Sequence, residues 1–298
     1  MTAWGIAGTG MIARAFAASI KDSNNSKLKY VASRSKENSD KFAKKYECEA
    51  IEGYENLLNL DDCDALYIAT PHPYHFELSL KALEKGKAVL CEKPMTMNST
   101  EAMVLIEASR KNHALFMEAF MYRTHPQTEK IREIIKEYFL DHPLEIEASF
   151  GFEANVSEEH RLVNPLLGGG SILDIGCYPM SMSRMIVGIQ EGKSFSNPVN
   201  IKSKGTLSDN NVDLYAEASL DFANGSKAFI SSSINKSLPN KVTIENTKSK
   251  LEVFEPWRCG EDIGRKSLMT LTHNGKLEEI EFNESIGIFT FEINHFSE

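Results

Sequence analysis

Cysteine is scarce: the 298 residues hold five, at 48, 63, 91, 177 and 259, odd in number and never spaced as C-x-x-C. That spacing excludes a disulfide framework and a zinc ribbon, and it predicts a reducing cytoplasm. Long apolar runs are also lacking, since no segment approaches the roughly 18 apolar residues of a membrane span. The opening MTAWGIAG has no basic region leading into an apolar stretch, so neither a leader nor a membrane partner is expected. Excess positive charge is missing too. Lys and Arg number 33 against 42 Asp and Glu, a net charge of −9. The lysines are interleaved with acids, as in KKYECE and SLKALEKGK. Nucleic-acid binding needs clustered cations at phosphates and is not expected. There is no internal repeat and no low-complexity segment.

What is present suits a chain that buries a core, with 42% apolar and 25% charged residues over a length comfortable for two domains. Short apolar runs (AWGIA, LKYVA, ALYIAT, AVLCE, LFMEAF) alternate with helical patterns over Met11–Lys21, Asn38–Tyr46, Tyr74–Lys85 and Ser99–Lys111. Strand-helix alternation of this kind predicts a doubly wound parallel sheet with helices on both faces. After about Phe120 the character changes. A helix is expected from near Pro126 to Tyr138, then LEIEASFGFEA as a half-exposed strand, and a helix over Ser171–Val187. Strands and turns follow to about Phe282, with ANGS, LPN and HNGK as turn signals. The expectation is an α/β chain: residues 1–122 form the doubly wound domain, and 123–298 a second α/β domain with a large, mostly antiparallel sheet.

The stretch WGIAGTGMIARAF places Gly8, Thr9, Gly10, Met11 and Ile12 directly after the first strand and at the start of a helix. Gly8 permits a tight turn, Gly10 lets the backbone approach a pyrophosphate, and Ala13 allows close helix-strand packing. The helix-start N–H groups then favour a diphosphate, as in a Rossmann dinucleotide site. Glycines also serve turns that hold no ligand, so the position after a strand carries the reading. An NAD site usually ends its second strand with an acid at the ribose. Here KYVASRSKE ends with Ser33-Arg34-Ser35 and no acid comes before Glu37, which favours NADP over NAD, because hydroxyls and a guanidinium suit a 2′-phosphate. The competing reading is a surface arginine at a helix start.

YIATPHPYH puts Thr70 and Pro71 at the end of the fourth strand, followed by His72 and His75. No third ligand stands near this H-x-x-H pair and Pro73 interrupts a helical face, so no metal site is expected. The carboxyl ends of parallel strands are where doubly wound sheets hold ligands. By the same geometry VLCEKP turns Glu92 and Lys93 toward that crevice; alone, the tripeptide EKP reads equally as surface charge. Later, GGGSILDIGCYPMSMSRM carries Asp174 and Tyr178 at i and i+4 on one expected helix face. As chemistry they supply a phenol that exchanges a proton and a carboxylate that orients a sugar-like hydroxyl. As packing they are a helix-start acid and an anchored tyrosine.

Taken in order, GTGMIA, ASRS, TPHPYH, CEKP, MEAFMYRTHP and GGGSILDIGCYP resemble the glucose–fructose oxidoreductase/inositol dehydrogenase family (Gfo/Idh/MocA). The likeness runs from residue 3 to about 255 and is nearest to the branch containing dimeric dihydrodiol dehydrogenase and NADP-dependent D-xylose dehydrogenase. The resemblance implies a Rossmann domain, then a domain whose open sheet joins subunits into a homodimer or homotetramer. It implies NADP-dependent hydride transfer at a carbinol or carbonyl carbon of a sugar, polyol or vicinal diol. Lys93 matches the catalytic lysine, Tyr178 the acid/base and Asp174 the substrate-orienting acid. Gly8, Thr9, Gly10, Met11, Ile12, Ser33, Arg34, Thr70, Pro71, His75, Glu92, Lys93 and Arg123 fall at or beside cofactor-contact positions. Relatives continue past FEINHFSE, so the final helix is expected to be cut short at Glu298. Two other readings use the same fold: a nucleotide-sensing regulator, which would have no need of Lys93, Asp174 and Tyr178, and a reductase of a non-sugar substrate.

Overall fold

Six strands, β1 (Thr2–Ala7), β2 (Ser26–Ser33), β3 (Glu49–Glu52), β4 (Ala65–Ile68), β5 (Ala88–Glu92) and β6 (Phe116–Ala119), pair in parallel in the order β3-β2-β1-β4-β5-β6. Every residue of β4 is buried, as a strand covered on both faces requires. The covering helices are α1 (Met11–Ser19), α2 (Lys36–Tyr46), α3 (Tyr54–Leu58), α4 (His75–Glu84) and α5 (Ser99–Asn112). The short strand β3 has no counterpart among the apolar runs of the sequence. Its EAIE alternates acids with partly buried residues because it lies at the sheet edge. Strand order reverses between β1 and β4, which opens a crevice at their carboxyl ends.

The computed structural model describes residues 1–259 and 266–298, and these divide into two units, Met1–Met121 with Ile286–Glu298, and Tyr122–Ser285. The second unit begins with α6 (Pro126–Tyr138), β7 (Glu145–Gly151) and α7 (Cys177–Gln190). It continues with β8 (Pro198–Leu207), β9 (Asp213–Phe222), β10 (Lys227–Ser233), β11 (Lys241–Glu245), β12 (Ser249–Phe254), β13 (Ser267–His273) and β14 (Lys276–Phe282). The eight strands run β14-β13-β12-β11-β7-β10-β9-β8, antiparallel except where β7 meets β10. Register puts Ile146 beside Ala228 and Ile244, so alternate side chains build one apolar face. That face is buried, as are Ile134 and Ile135 of α6 and Met182, Met185 and Ile186 of α7. The other face carries Glu147, Lys241, Thr243 and Glu252. Residues 260–265 of the stretch expected as strands and turns lie outside the described residues.

Two expectations change. The helix expected over Ser171–Val187 starts with a π-helical segment, Ile172–Gly176, before α7. Its wider turn, with i→i+5 bonding, often marks a functional position. The last thirteen residues, placed by the sequence reading in the second domain, belong to the first unit. Their helix α8 (Ile288–Phe296) buries Ile288, Phe289, Ile293 and Phe296, and Phe296 lies 4.9 Å from the ring of Trp4. Each buried side chain of this kind contributes about 1.5–3 kcal/mol. Among the described residues no helix is long and apolar enough to cross a membrane.

Candidate functional site

In the first unit the expected residues gather where the strands end. Gly8 follows β1 with φ +122°, and a Cβ there would stand 2.5 Å from the Ala69 carbonyl oxygen. Only glycine fits that close approach of two strand ends. Gly10 begins α1 in extended backbone without a side-chain cap, and a Cβ on it would meet nothing within 4 Å. Thr9 turns its carbonyl to the Arg14 guanidinium at 3.2 Å, while Met11 is 84% exposed and Ile12 half-buried. The start of α1 therefore has neither a side-chain cap nor an acid in its first turn. That is the cradle a diphosphate requires, and the residues fit the group.

At the end of β2, Ser33 is buried and its hydroxyl accepts from the Ser35 N–H at 3.2 Å. Arg34 is exposed; its guanidinium lies 5.3 Å from the Tyr74 ring and donates to the Tyr74 hydroxyl at 3.4 Å. The cation is thus held at the strand end by a neighbour that sequence reasoning missed. Thr70 and Pro71 close β4. The Thr70 hydroxyl is buried and has no hydrogen-bond partner among the described residues.

His75 is fully buried, with Nε2 2.8 Å from the Thr70 carbonyl and Nδ1 2.9 Å from the Pro94 carbonyl. Burial pulls its pKa below the ordinary imidazole value, against the two carbonyls and with the Lys93 charge. Here the ring braces the ends of β4 and β5 instead of presenting an edge to a ligand. Glu92 is buried at the end of β5, where Tyr67 donates to Oε1 and the Lys93 N–H to Oε2 at 3.2 Å. Burial raises its pKa; the Lys93 charge and the Tyr67 hydroxyl oppose the rise. Lys93 is half-buried and precedes a cis peptide to Pro94.

Behind these residues lies an acid that the sequence did not flag. Glu292 of α8 is fully buried, and neither carboxyl oxygen has a hydrogen-bond partner among the described residues. Burial, with the Glu92 charge, drives its pKa well above the carboxylate range.

In the second unit Asp174 lies in the π segment and Tyr178 in the first turn of α7, both nearly fully buried. Arg161 donates to Asp174 Oδ1 at 2.9 Å. The Tyr178 ring is bounded by Phe150 at 5.3 Å and by Tyr122 and Trp257 at 5.8 Å each. Trp257 is anchored through its indole N–H to the Ser149 carbonyl at 2.9 Å. Such a cage fixes a phenol's orientation by aromatic edges and faces. Arg123 reaches Ser181 of α7, with Nη2 2.7 Å from its hydroxyl and 3.2 Å from its carbonyl. Seen within its own unit, that guanidinium secures α7. Arg161, Phe150 and Trp257 carried no motif by which sequence reasoning could single them out, and Tyr122, although inside MEAFMYRTHP, was not singled out.

Comparison with known proteins accords with both units. Residues 2–120 match the family described as an oxidoreductase family with an NAD-binding Rossmann fold, and residues 128–252 match the GFO/IDH/MocA C-terminal domain. The chain is 34% identical to trans-1,2-dihydrobenzene-1,2-diol dehydrogenase of Xenopus laevis over 85% of its own length and 75% of that protein. With the same enzyme of Xenopus tropicalis it shares 32% identity over 99% and 88% of the two chains. In structure it is similar to a 3-ketoreductase of Actinomadura kijaniata solved with NADP and TDP-benzene, with TM-score 0.85, 24% identity and 99% and 88% coverage. An aldose-aldose oxidoreductase of Caulobacter crescentus complexed with glycerol gives TM-score 0.86 at 21% identity with the same coverage. These two likenesses concern the fold. The chain belongs to the GFO/IDH/MocA family and is an NAD(P)-dependent oxidoreductase.

Proposed function

We propose that the chain moves hydride reversibly between NADP(H) and the carbinol carbon of a sugar, polyol or vicinal diol, with Lys93, Asp174 and Tyr178 serving the reacting hydroxyl. The observation that carries this reading is the second unit's buried phenol and carboxylate, Tyr178 inside its aromatic cage and Asp174 ahead of it. A protein that only sensed a nucleotide would have no use for that pair. When bound, the nicotinamide supplies the hydride acceptor or donor. The backbone of Gly8 to Met11 holds the diphosphate, and Arg34, steadied by Tyr74, meets the 2′-phosphate. In oxidation Tyr178 takes the hydroxyl proton while Asp174 accepts a hydrogen bond from the sugar and sets its orientation. The Lys93 ammonium stabilises the developing alkoxide, so its contribution falls mainly in the transition state.

Two finer readings go with this one. Cysteines odd in number and never spaced as C-x-x-C support a reducing cytoplasm. The exposed face of the eight-stranded sheet carries a groove of about 780 Å³ lined by Glu147, Lys204, Tyr215, Glu217, Phe229 and Lys241 among others. Mixed charge around aromatic side chains suits a self-complementary contact, and we assign that face to a homodimer or homotetramer.

A screen of aldoses, inositols and vicinal diols with NADP and NAD in parallel, read by nicotinamide absorbance, tests the proposal. Turnover of a polyhydroxylated substrate, faster with NADP at matched subsaturating cofactor, is the expected result. No turnover of any of these classes contradicts the substrate reading, and a faster rate with NAD contradicts the reading of Arg34.

A further inference from the structure

We propose that Arg161 is a positioning residue for the reaction: its guanidinium holds the Asp174 carboxylate aimed, and the glycine run before Asp174 exists to let that contact form. This rests on the reading of Asp174 as the group that orients the substrate hydroxyl.

The two side chains meet at 2.9 Å, yet they live in different surroundings. The Asp174 side chain is 6% exposed and that of Arg161 47%. A nearly buried carboxylate loses most of its hydration, and a fixed cation within hydrogen-bond reach is what makes its charged form tolerable. Exposed ion pairs contribute little; the burial of one partner takes this pair out of that class.

The backbone around the pair is built to hold it. Arg161 sits in a turn in which Val163 and Asn164 N–H groups both donate to the His160 carbonyl at 3.0 Å. The glycine run then folds back on this turn, Gly169 N–H donating to the Asn164 carbonyl at 3.0 Å and Gly170 N–H to the Leu162 carbonyl at 2.9 Å. A Cβ on Gly169 would lie 2.8 Å from the Leu162 oxygen and 2.9 Å from the Asn164 nitrogen. Backbone cannot yield there, so only glycine brings the Arg161 turn against the start of the π segment.

From the opposite side Asp213, first residue of β9, accepts from the Ser171 hydroxyl at 2.8 Å and the Ile172 N–H at 2.7 Å. Gly170, at φ +122°, makes way for it, since a Cβ would stand 2.2 Å from Asp213 Oδ1. Asp213 therefore fixes the backbone that bears Asp174, and Arg161 fixes the carboxylate itself.

The test compares Arg161→Ala, Arg161→Lys, Asp174→Asn and the Arg161→Ala/Asp174→Asn double variant, with kcat and KM measured on the substrate found in the screen. Thermal unfolding of each variant establishes that it is folded. Loss of aim alone lowers kcat/KM by up to about a hundredfold. The expected pattern is a fall of that order in Arg161→Ala, partial recovery in Arg161→Lys, and recovery on adding free guanidinium ion to Arg161→Ala but not to Asp174→Asn. In the double variant the arginine change should add little to the loss caused by Asp174→Asn. Wild-type kcat/KM in Arg161→Ala beside an impaired Asp174→Asn overturns the inference alone, as do full additivity and absence of guanidinium recovery. Wild-type kcat/KM in Asp174→Asn overturns the underlying reading of Asp174, and the inference with it.

Discussion

Tyr67 of β4 donates its hydroxyl proton to Oε1 of Glu92 at the end of β5, inside the core of the first unit. The Tyr67 ring stacks on Phe16 of α1 with centroids 3.9 Å apart, and Phe16 in turn meets Trp4 at 5.2 Å. The glutamate of the EKP tripeptide is thereby tied to the centre of the apolar core. Tyr67→Phe keeps the ring and removes the donor, leaving a buried acceptor short of one bond. Unfolding free energy should fall by about 1–3 kcal/mol, measured by denaturant titration. An unchanged midpoint and slope would show that the hydroxyl contributes nothing to holding Glu92.

Glu292 yields a pH prediction. Its folded-state pKa lies well above its ordinary value of 4.5, chiefly through burial. Between those two values the native state holds a proton that the unfolded chain has released. The contribution of this group is therefore present in full below the unfolded value and is lost as pH rises through the window, at about 1.4 kcal/mol per pH unit. Glu292→Gln keeps the shape and abolishes the titration. The variant should gain stability over wild type progressively from mildly acidic to neutral pH in thermal unfolding. A difference between the two proteins that does not vary with pH contradicts this.

On the proposed reading, Arg34, held just past the end of β2 by Tyr74, carries the cofactor preference. Arg34→Gln removes a cation from the 2′-phosphate, a loss of about 1.5–3 kcal/mol for a charged hydrogen bond. NADP affinity should weaken about ten- to a hundredfold while NAD affinity stays level, in direct binding titrations of both cofactors. Equal weakening of the two would mean that Arg34 serves the adenosine moiety in general and does not discriminate the phosphate.

Much of the first unit could be read from the chain because its determinants are local. Gly8 and Gly10 stand beside the strand they terminate, and the apolar runs match β1, β2, β4, β5 and β6. The short strand β3 escaped because an edge position leaves EAIE with acids at its ends. Residues that act through distant pairing were not legible. Asp213 is 42 residues from the Ile172 region it grips, at Ser171, and Trp257 is 108 from its carbonyl partner Ser149. Nothing in a one-dimensional pattern sets the register of an eight-stranded sheet, so neither contact could be anticipated. Asp174 and Tyr178 were singled out as candidates by their spacing, but the π segment was not, because i→i+5 bonding has no signature apart from an α-helical pattern. The placement of α8 in the first unit follows from its packing on Trp4, again a long-range event.

The central claim is that Lys93 and Tyr178 handle the proton of the reacting hydroxyl. Its most direct measurement is single-turnover and steady-state kinetics of Lys93→Met and Tyr178→Phe alongside NADP binding by titration. General acid–base assistance of this kind is worth about 10²- to 10⁴-fold. Each variant should lose turnover on that scale while binding NADP nearly as wild type does; turnover at the wild-type rate in both would contradict the account.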